Sequence, residues 1–404
     1  MNPPARSDSR ATLSLIAGCV VASGVSLVVV KYVSVPYVWL GVSWTLLLVW
    51  SATVVRAVIG RVILVCAATF VGTLTLAEAY LWAVWLPPPK EVMSPPNFYP
   101  ADTVLGWRLR SGKTRAMLQA GDQVIYTHTY TIDSAGWRVL PPDSPGSGRG
   151  CVLLLVDSFI FGTGVDDDQT LPSLLRRSAS RHFQIVSLSR PGFGAEHMLT
   201  ELEHGVIAGL PCRPTIVIYQ AIIDHVSRAA GIPSFSRRGP HYELQPDGTL
   251  QYLGLGWPTL TVSPGGTWAH RQLMKSRLYN ALFARQAFPT ERDFQRYFAI
   301  LARFRMLLER QYPGVAFHVI AWNPLGPYAR FSQSFLTGLQ MHVPNFHLIS
   351  RILPGYLDDP LVYQVHTTDD HPNPFANALL AKYVLQCVLE KPAHNGSASG
   401  FCDE

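Results

Sequence analysis

Charge is scarce in this chain. Of 404 residues, 15% are Asp, Glu, Lys or Arg and 48% are hydrophobic. Lys and Arg number 33 against 27 Asp and Glu, a net charge of +6. The arginines form no dense stripe, so this mildly basic balance leaves no footprint for nucleic acid. The six cysteines have no metal-ligand spacing. There is no glycine-rich phosphate loop and no dinucleotide fingerprint. The sequence therefore points to no cofactor and no metal site.

What the chain has in place of charge is long apolar runs: Ala11–Val30, Tyr37–Val55 and Val62–Leu86. Each approaches or exceeds the ~20 residues that span a bilayer. Arg6 and Arg10 precede the first run, and Arg56 and Arg61 separate the second from the third. The positive-inside rule then predicts three transmembrane helices in residues 1–90 with a cytoplasmic N-terminus. Everything after Pro87 is expected outside, facing the periplasm of a bacterial inner membrane. Tyr80, Trp82 and Trp85 suit an aromatic belt at the outer face. Glu78 lies inside the third run, where a carboxylate is expected to pair within the bundle or snorkel. In an oxidising compartment Cys387 and Cys402 are the easiest pair to bridge.

The stretch Val152–Val165, VLLLVDSFIFGTGV, carries the chemistry. An aliphatic run ends in Asp157-Ser158 and passes into Gly162 and Gly164. It reads as a buried parallel strand delivering a serine to the C-terminal edge of a sheet, where open α/β folds place their sites. Far downstream, Asp369-Asp370-His371-Pro372-Asn373 supplies a base and an orienting carboxylate. A serine hydroxyl is a poor nucleophile until a base takes its proton. Ser158, His371 and Asp369 are therefore the candidate triad, with Asp370 the neighbouring alternative. Asp157 is expected to be a structural acceptor holding the serine loop.

These residues resemble the SGNH (GDSL-type) hydrolase superfamily over roughly residues 150–390. Its Gly-Asp-Ser-x-x-x-Gly motif is similar to Val156–Gly162, with only the leading glycine changed. Its closing Asp before His-Pro-Asn is similar to Asp369–Asn373. Ser189–Gly194 is similar to the second motif, whose glycine gives an oxyanion amide; this implies Gly192 together with the Ser158 N–H. The third motif, Gly-x-Asn-Asp, is degraded to Ala221-Ile222-Ile223-Asp224, so the oxyanion asparagine is lost. Gln220 or His225 is left to replace it, or the hole has two donors only.

The rest of the chain completes a domain plan. Residues 91–150 alternate polar and apolar, predicting a small β-rich lead-in followed by a linker of turn formers. Residues 151–390 alternate strand and helix. Strands are expected at Val152–Val156, Gln184–Leu188, Thr215–Tyr219, Ala316–Ala321 and Phe346–Ile349. With the resemblance, this predicts a three-layer α/β/α, flavodoxin-like domain around a parallel sheet. Pro246-Asp247-Gly248 signals a hairpin within an insertion at 231–270, a candidate substrate lid. The tail 391–404 reads as disordered.

Location and resemblance together imply a membrane-anchored serine esterase acting on O-acyl, chiefly acetyl, esters of envelope or exported carbohydrate. Two alternatives stand beside it. One is an O-acetyltransferase using the same serine, supplied by a membrane acyl-donor protein. The other is a non-catalytic envelope protein that retains the fold. Besides substrate, the expected partner is the lipid bilayer.

Overall fold

The computed structural model describes residues 36–84, 89–142, 150–179, 181–233, 235–256, 273, 275–283, 288–390 and 402. The chain divides into two compact units. One comprises residues 1–87 and 259–286, the other 88–258 and 287–404. The expected span Ala11–Val30, most of the linker before Gly150 and most of the tail lie outside the described residues.

In the first unit, helices α1 (Pro36–Val54) and α2 (Val58–Val84) are long and apolar enough to cross a membrane. Their large side chains, among them Leu46, Val58, Ile63, Phe70 and Leu76, are exposed. Glu78 on α2 is buried and fully paired. Its carboxylate accepts from Ser276 Oγ at 2.8 Å, the Arg277 N–H at 2.9 Å, the Leu278 N–H at 2.7 Å and Trp82 Nε1 at 3.0 Å. Two of these donors open the short helix Arg277–Phe283, so Glu78 caps a segment that begins 198 residues later. Arg277 stacks on Trp82 at 3.8 Å and donates to the carbonyls of Leu81 and Trp82. The pairing expected of Glu78 is thus made to a distant part of the chain.

The second unit opens with strands β1 (Lys90–Ser94), β2 (Ala101–Asp102), β3 (Gly106–Trp107), β4 (Gly112–Ala120) and β5 (Gln123–Ile132). β1, β4 and β5 form an antiparallel sheet and β2 with β3 a small hairpin. Next come β6 (Gly150–Val156), α3 (Ser158–Phe161), α4 (Leu171–Ala179), β7 (Phe183–Ser189), α5 (Ala195–Glu203), β8 (Ile216–Ala221) and α6 (Asp224–Ala229). A hairpin, β9 (Pro240–Leu244) with β10 (Leu250–Leu255), precedes α7 (Glu291–Gln311). β11 (Ala316–Ala321), α8 (Ser332–His342) and β12 (Asn345–Leu348) follow.

The five expected strands form one parallel sheet in the order β12-β11-β8-β6-β7. Numbered from β6 and read from the other edge, this is the doubly wound order 2-1-3-4-5. Two core clusters cover its faces. Leu153, Leu155, Val217, Tyr219 and Phe304 lie in one; Val152, Leu154, Ile218 and Leu380 lie in the other. Alternation along β6 and β8 sends successive side chains to opposite layers. β6 is buried almost throughout, as its aliphatic run requires.

The hairpin expected as a lid is fixed in place. Tyr242 is fully buried, its hydroxyl bonded to Thr200 and to Glu203 at 2.7 Å. Glu243 pairs with Arg292 at 3.0 Å and Arg296 at 3.1 Å on α7. The rest of the expected insertion, residues 257–270, lies outside the described residues.

Candidate active site

Ser158 stands where the sequence places it, just past the C-terminal end of β6. That strand lies between β7 and β8, the point where the order of the sheet reverses. Asp157 caps α3, accepting the Phe159 N–H at 3.0 Å. Gly162 closes the turn at φ +80°, and a Cβ there would meet Thr170 at 2.6 Å. Val156 has φ +119°. A β-branched residue rarely adopts this conformation, and it occurs at the position where the resembled motif has glycine.

His371 and Asp369 lie on the strand β14 (Asp369–Pro372), which pairs with β13 (Gln364–His366). Residues two apart on a strand share a face. Asp369 therefore reaches His371, with its Oδ1 hydrogen-bonded to Nδ1 of the ring. Asp370 points to the opposite side and is exposed. Asp369 Oδ2 also accepts from the Tyr126 hydroxyl at 2.7 Å. Burial pushes the Asp369 carboxyl up, but hydrogen bonds from His371 and Tyr126 outweigh it and hold the carboxyl low. Burial alone would lower His371; the bonded Asp369 carboxylate raises it above its ordinary value. The imidazole thus sits on its carboxylate through Nδ1. Asn373 caps the following helix α9 (Pro374–Tyr383) through the Ala376 N–H.

Ser158 and His371 line one cavity of about 380 Å³. Its wall includes Glu91, Tyr99, Trp107, Gly192, Arg228 and Phe235. Gly192, the expected oxyanion amide, is there at φ +85°. Gln220 is not. It is fully buried in β8, off the cavity, and neither amide atom has a partner among the described residues. Alternation explains this: Gln220 follows Ile218 onto one face of the sheet, while Tyr219 and Ala221 take the other. His225 is unavailable as a donor too. Its Nε2 contacts Asp157 at 3.0 Å and its Nδ1 the Tyr219 hydroxyl at 2.7 Å. Burial would raise Asp157, but His225 and the Arg228 guanidinium at 3.5 Å hold its carboxyl low. Asp157 is thus a buried anchor beneath the serine.

The lead-in region contributes Glu91, Tyr99 and Trp107 to the cavity wall, which the sequence did not reveal. Arg138 is buried and donates to the carbonyls of Phe161 at 2.8 Å, Gly162 at 2.6 Å and Val165 at 2.7 Å, and to Asp167 at 2.8 Å. It clamps the loop behind Ser158. Arg190 donates to Trp107 O at 2.9 Å and lies 3.8 Å from the Trp137 ring. Tyr126, Glu91 and Trp107 come from the same region. No motif marks them, because single polar residues in an alternating strand carry no spacing signal.

Asp369, Asp370 and His371 have ligand atoms within 4.8 Å of one another. The lone pairs of Asp369 that face inward already serve His371 and Tyr126. No protein-family model and no curated protein matches the sequence. Solved structures are similar in part. A carbohydrate esterase family 2 enzyme with a carbohydrate-binding domain, from Corynascus thermopiles (Myceliophthora fergusii), is 14% identical with TM-score 0.32, over 65% of this chain and 70% of that one. An acetyl xylan esterase from Butyrivibrio proteoclasticus is 12% identical with TM-score 0.32, over 60% and 65%. A salicylyl-acyltransferase from a tetracycline biosynthetic pathway is 14% identical with TM-score 0.29, over 66% and 57%. Identity and TM-score are low in all three.

Proposed function

We propose that this chain is a membrane-anchored, SGNH-like serine esterase that cleaves O-acyl esters, chiefly acetyl groups on envelope or exported carbohydrate. The observation that carries it is the cavity shared by Ser158 and His371, with Asp369 bonded to the far side of the imidazole. In this reading His371 takes the Ser158 proton as the hydroxyl attacks the ester carbonyl. Asp369 fixes the tautomer and stabilises the imidazolium. Backbone N–H groups of Ser158 and Gly192 receive the oxyanion. His371 then protonates the leaving alcohol, and water, activated by the same base, releases the acid from the acyl-serine.

The anchor reading is supported by the exposed apolar surfaces of α1 and α2, with Arg56 between them and Arg61 in the first turn of α2. The disulfides Cys151–Cys212 and Cys387–Cys402 support an oxidising, extracytoplasmic compartment. A transferase is favoured by one feature. Glu78 of the first unit caps the distant helix Arg277–Phe283, more construction than a tether needs. A fluorophosphonate probe should label the detergent-solubilised protein, and Ser158→Ala should abolish labelling while remaining folded. Equal labelling of the two would remove Ser158 as nucleophile. Release of free acetate against acetylation of an added sugar separates esterase from transferase.

A further inference from the structure

Glu91 stands in the cavity wall with Ser158 and His371. It arrives on β1, in the lead-in region that precedes the parallel sheet, where its backbone pairs with Leu118 on β4. Its Oε1 is shielded from solvent and has no hydrogen-bond partner among the described residues. An unpaired carboxyl oxygen taken out of water costs free energy unless a ligand completes it. The groups around it are Tyr99, Tyr126, Tyr130, Asp369 and His371, with Arg228 and Arg238 elsewhere on the same wall. Arg228 is engaged, donating to the Phe193 carbonyl at 2.6 Å.

We propose that Glu91 selects the ester by hydrogen bonding to a free hydroxyl of the alcohol moiety, so that the cavity takes polyhydroxylated esters in preference to hydrocarbon ones. This rests on the esterase reading above. Burial, the largest influence, pushes the Glu91 carboxyl up to about 7, with His371 opposing and Asp369 adding to it. Near neutral pH both of its forms are present. A hydroxyl both donates and accepts, so it pairs with either form; an ether or carbonyl oxygen pairs only with the protonated one. Tyr99, Trp107 and Phe235 add the apolar walls against which a sugar ring can lie.

The test uses the full chain in detergent and two acetate esters: a monoacetylated methyl xyloside with a free neighbouring hydroxyl, and its deoxy counterpart. The readout is the ratio of their kcat/KM values. Glu91→Leu should lower that ratio about tenfold or more, because the hydroxyl loses its partner. Glu91→Gln, which can still donate and accept, should keep it within about threefold of wild type. If Glu91→Leu does not fold by circular dichroism, Glu91→Met takes its place. Equal losses on both esters would show that Glu91 acts on the triad and overturn the proposal. So would an unchanged ratio, or a ratio governed by an added carboxylate on the ester, which would assign selection to the arginines. If wild type turns over neither ester and the fluorophosphonate fails to label Ser158, the esterase reading falls and the proposal with it.

Discussion

Val156 offers a test of the backbone that presents the serine. It is fully buried at the end of β6 with φ +119°. Holding a non-glycine residue there costs about 1–3 kcal/mol. Val156→Ala removes about two buried carbons, roughly 1.6 kcal/mol, and keeps the strain. Val156→Gly removes about one more, ~0.8 kcal/mol, and adds roughly 0.5–1 kcal/mol of backbone entropy. In an unstrained strand Gly would therefore fall about 1.3–1.8 kcal/mol below Ala. At Val156 the released strain offsets this. Val152 is the control: it is buried in the same strand and is not among the positive-φ residues. The Ala-to-Gly gap should be smaller at 156 than at 152 by about 1–3 kcal/mol. Melting temperatures of the four variants, followed by the unfolding of this domain, read the difference. At roughly 2–4 °C per kcal/mol it is measurable. Equal gaps at the two positions would refute the strain argument.

Five further outcomes are expected. Tyr126→Phe removes one of the two partners of Asp369, so kcat should fall about tenfold. The acid limb of kcat/KM should move to higher pH, because a less satisfied Asp369 carboxylate raises His371 further; an unmoved limb would show that Tyr126 does not act through the triad. In wild type the base must be neutral, so activity should fall as pH drops through a His371 value above its ordinary 6.5. Asp369→Asn should cost up to ~10⁴ in ester turnover with the fold intact, and Asp370→Asn far less; the reverse order would move the triad to Asp370. Asp157→Ala leaves His225 and Arg228 facing a buried gap, and should destabilise the domain by about 3–5 kcal/mol in denaturant unfolding. A phosphatase reporter should be active when fused after Glu404 and silent after Gly60; the opposite pattern would invert the topology.

The sequence by itself determined the elements whose signal is local. Apolar runs marked β6 and β8, because a strand buried on both faces must be largely apolar; β7, β11 and β12 were marked by shorter apolar stretches. The motif offered Asp369 with Asp370 as its neighbouring alternative; only the pairing of β14 with β13 put Asp369 and His371 on one side of a strand. Length and apolarity marked α1 and α2. Tertiary structure decided what depends on distant segments meeting. Tyr126 reaches Asp369 across 243 residues and Glu78 reaches Ser276 across 198. Neither partner carries a mark of the other, because a hydrogen bond is specified by position in space. The same holds for Arg138 on the serine loop and Glu91 in the cavity. Gln220, one of three options for the oxyanion, lies off the cavity for a related reason. Adjacency to a degraded motif said nothing about which face of β8 its side chain would take, and the alternation of the folded sheet sent it into the core.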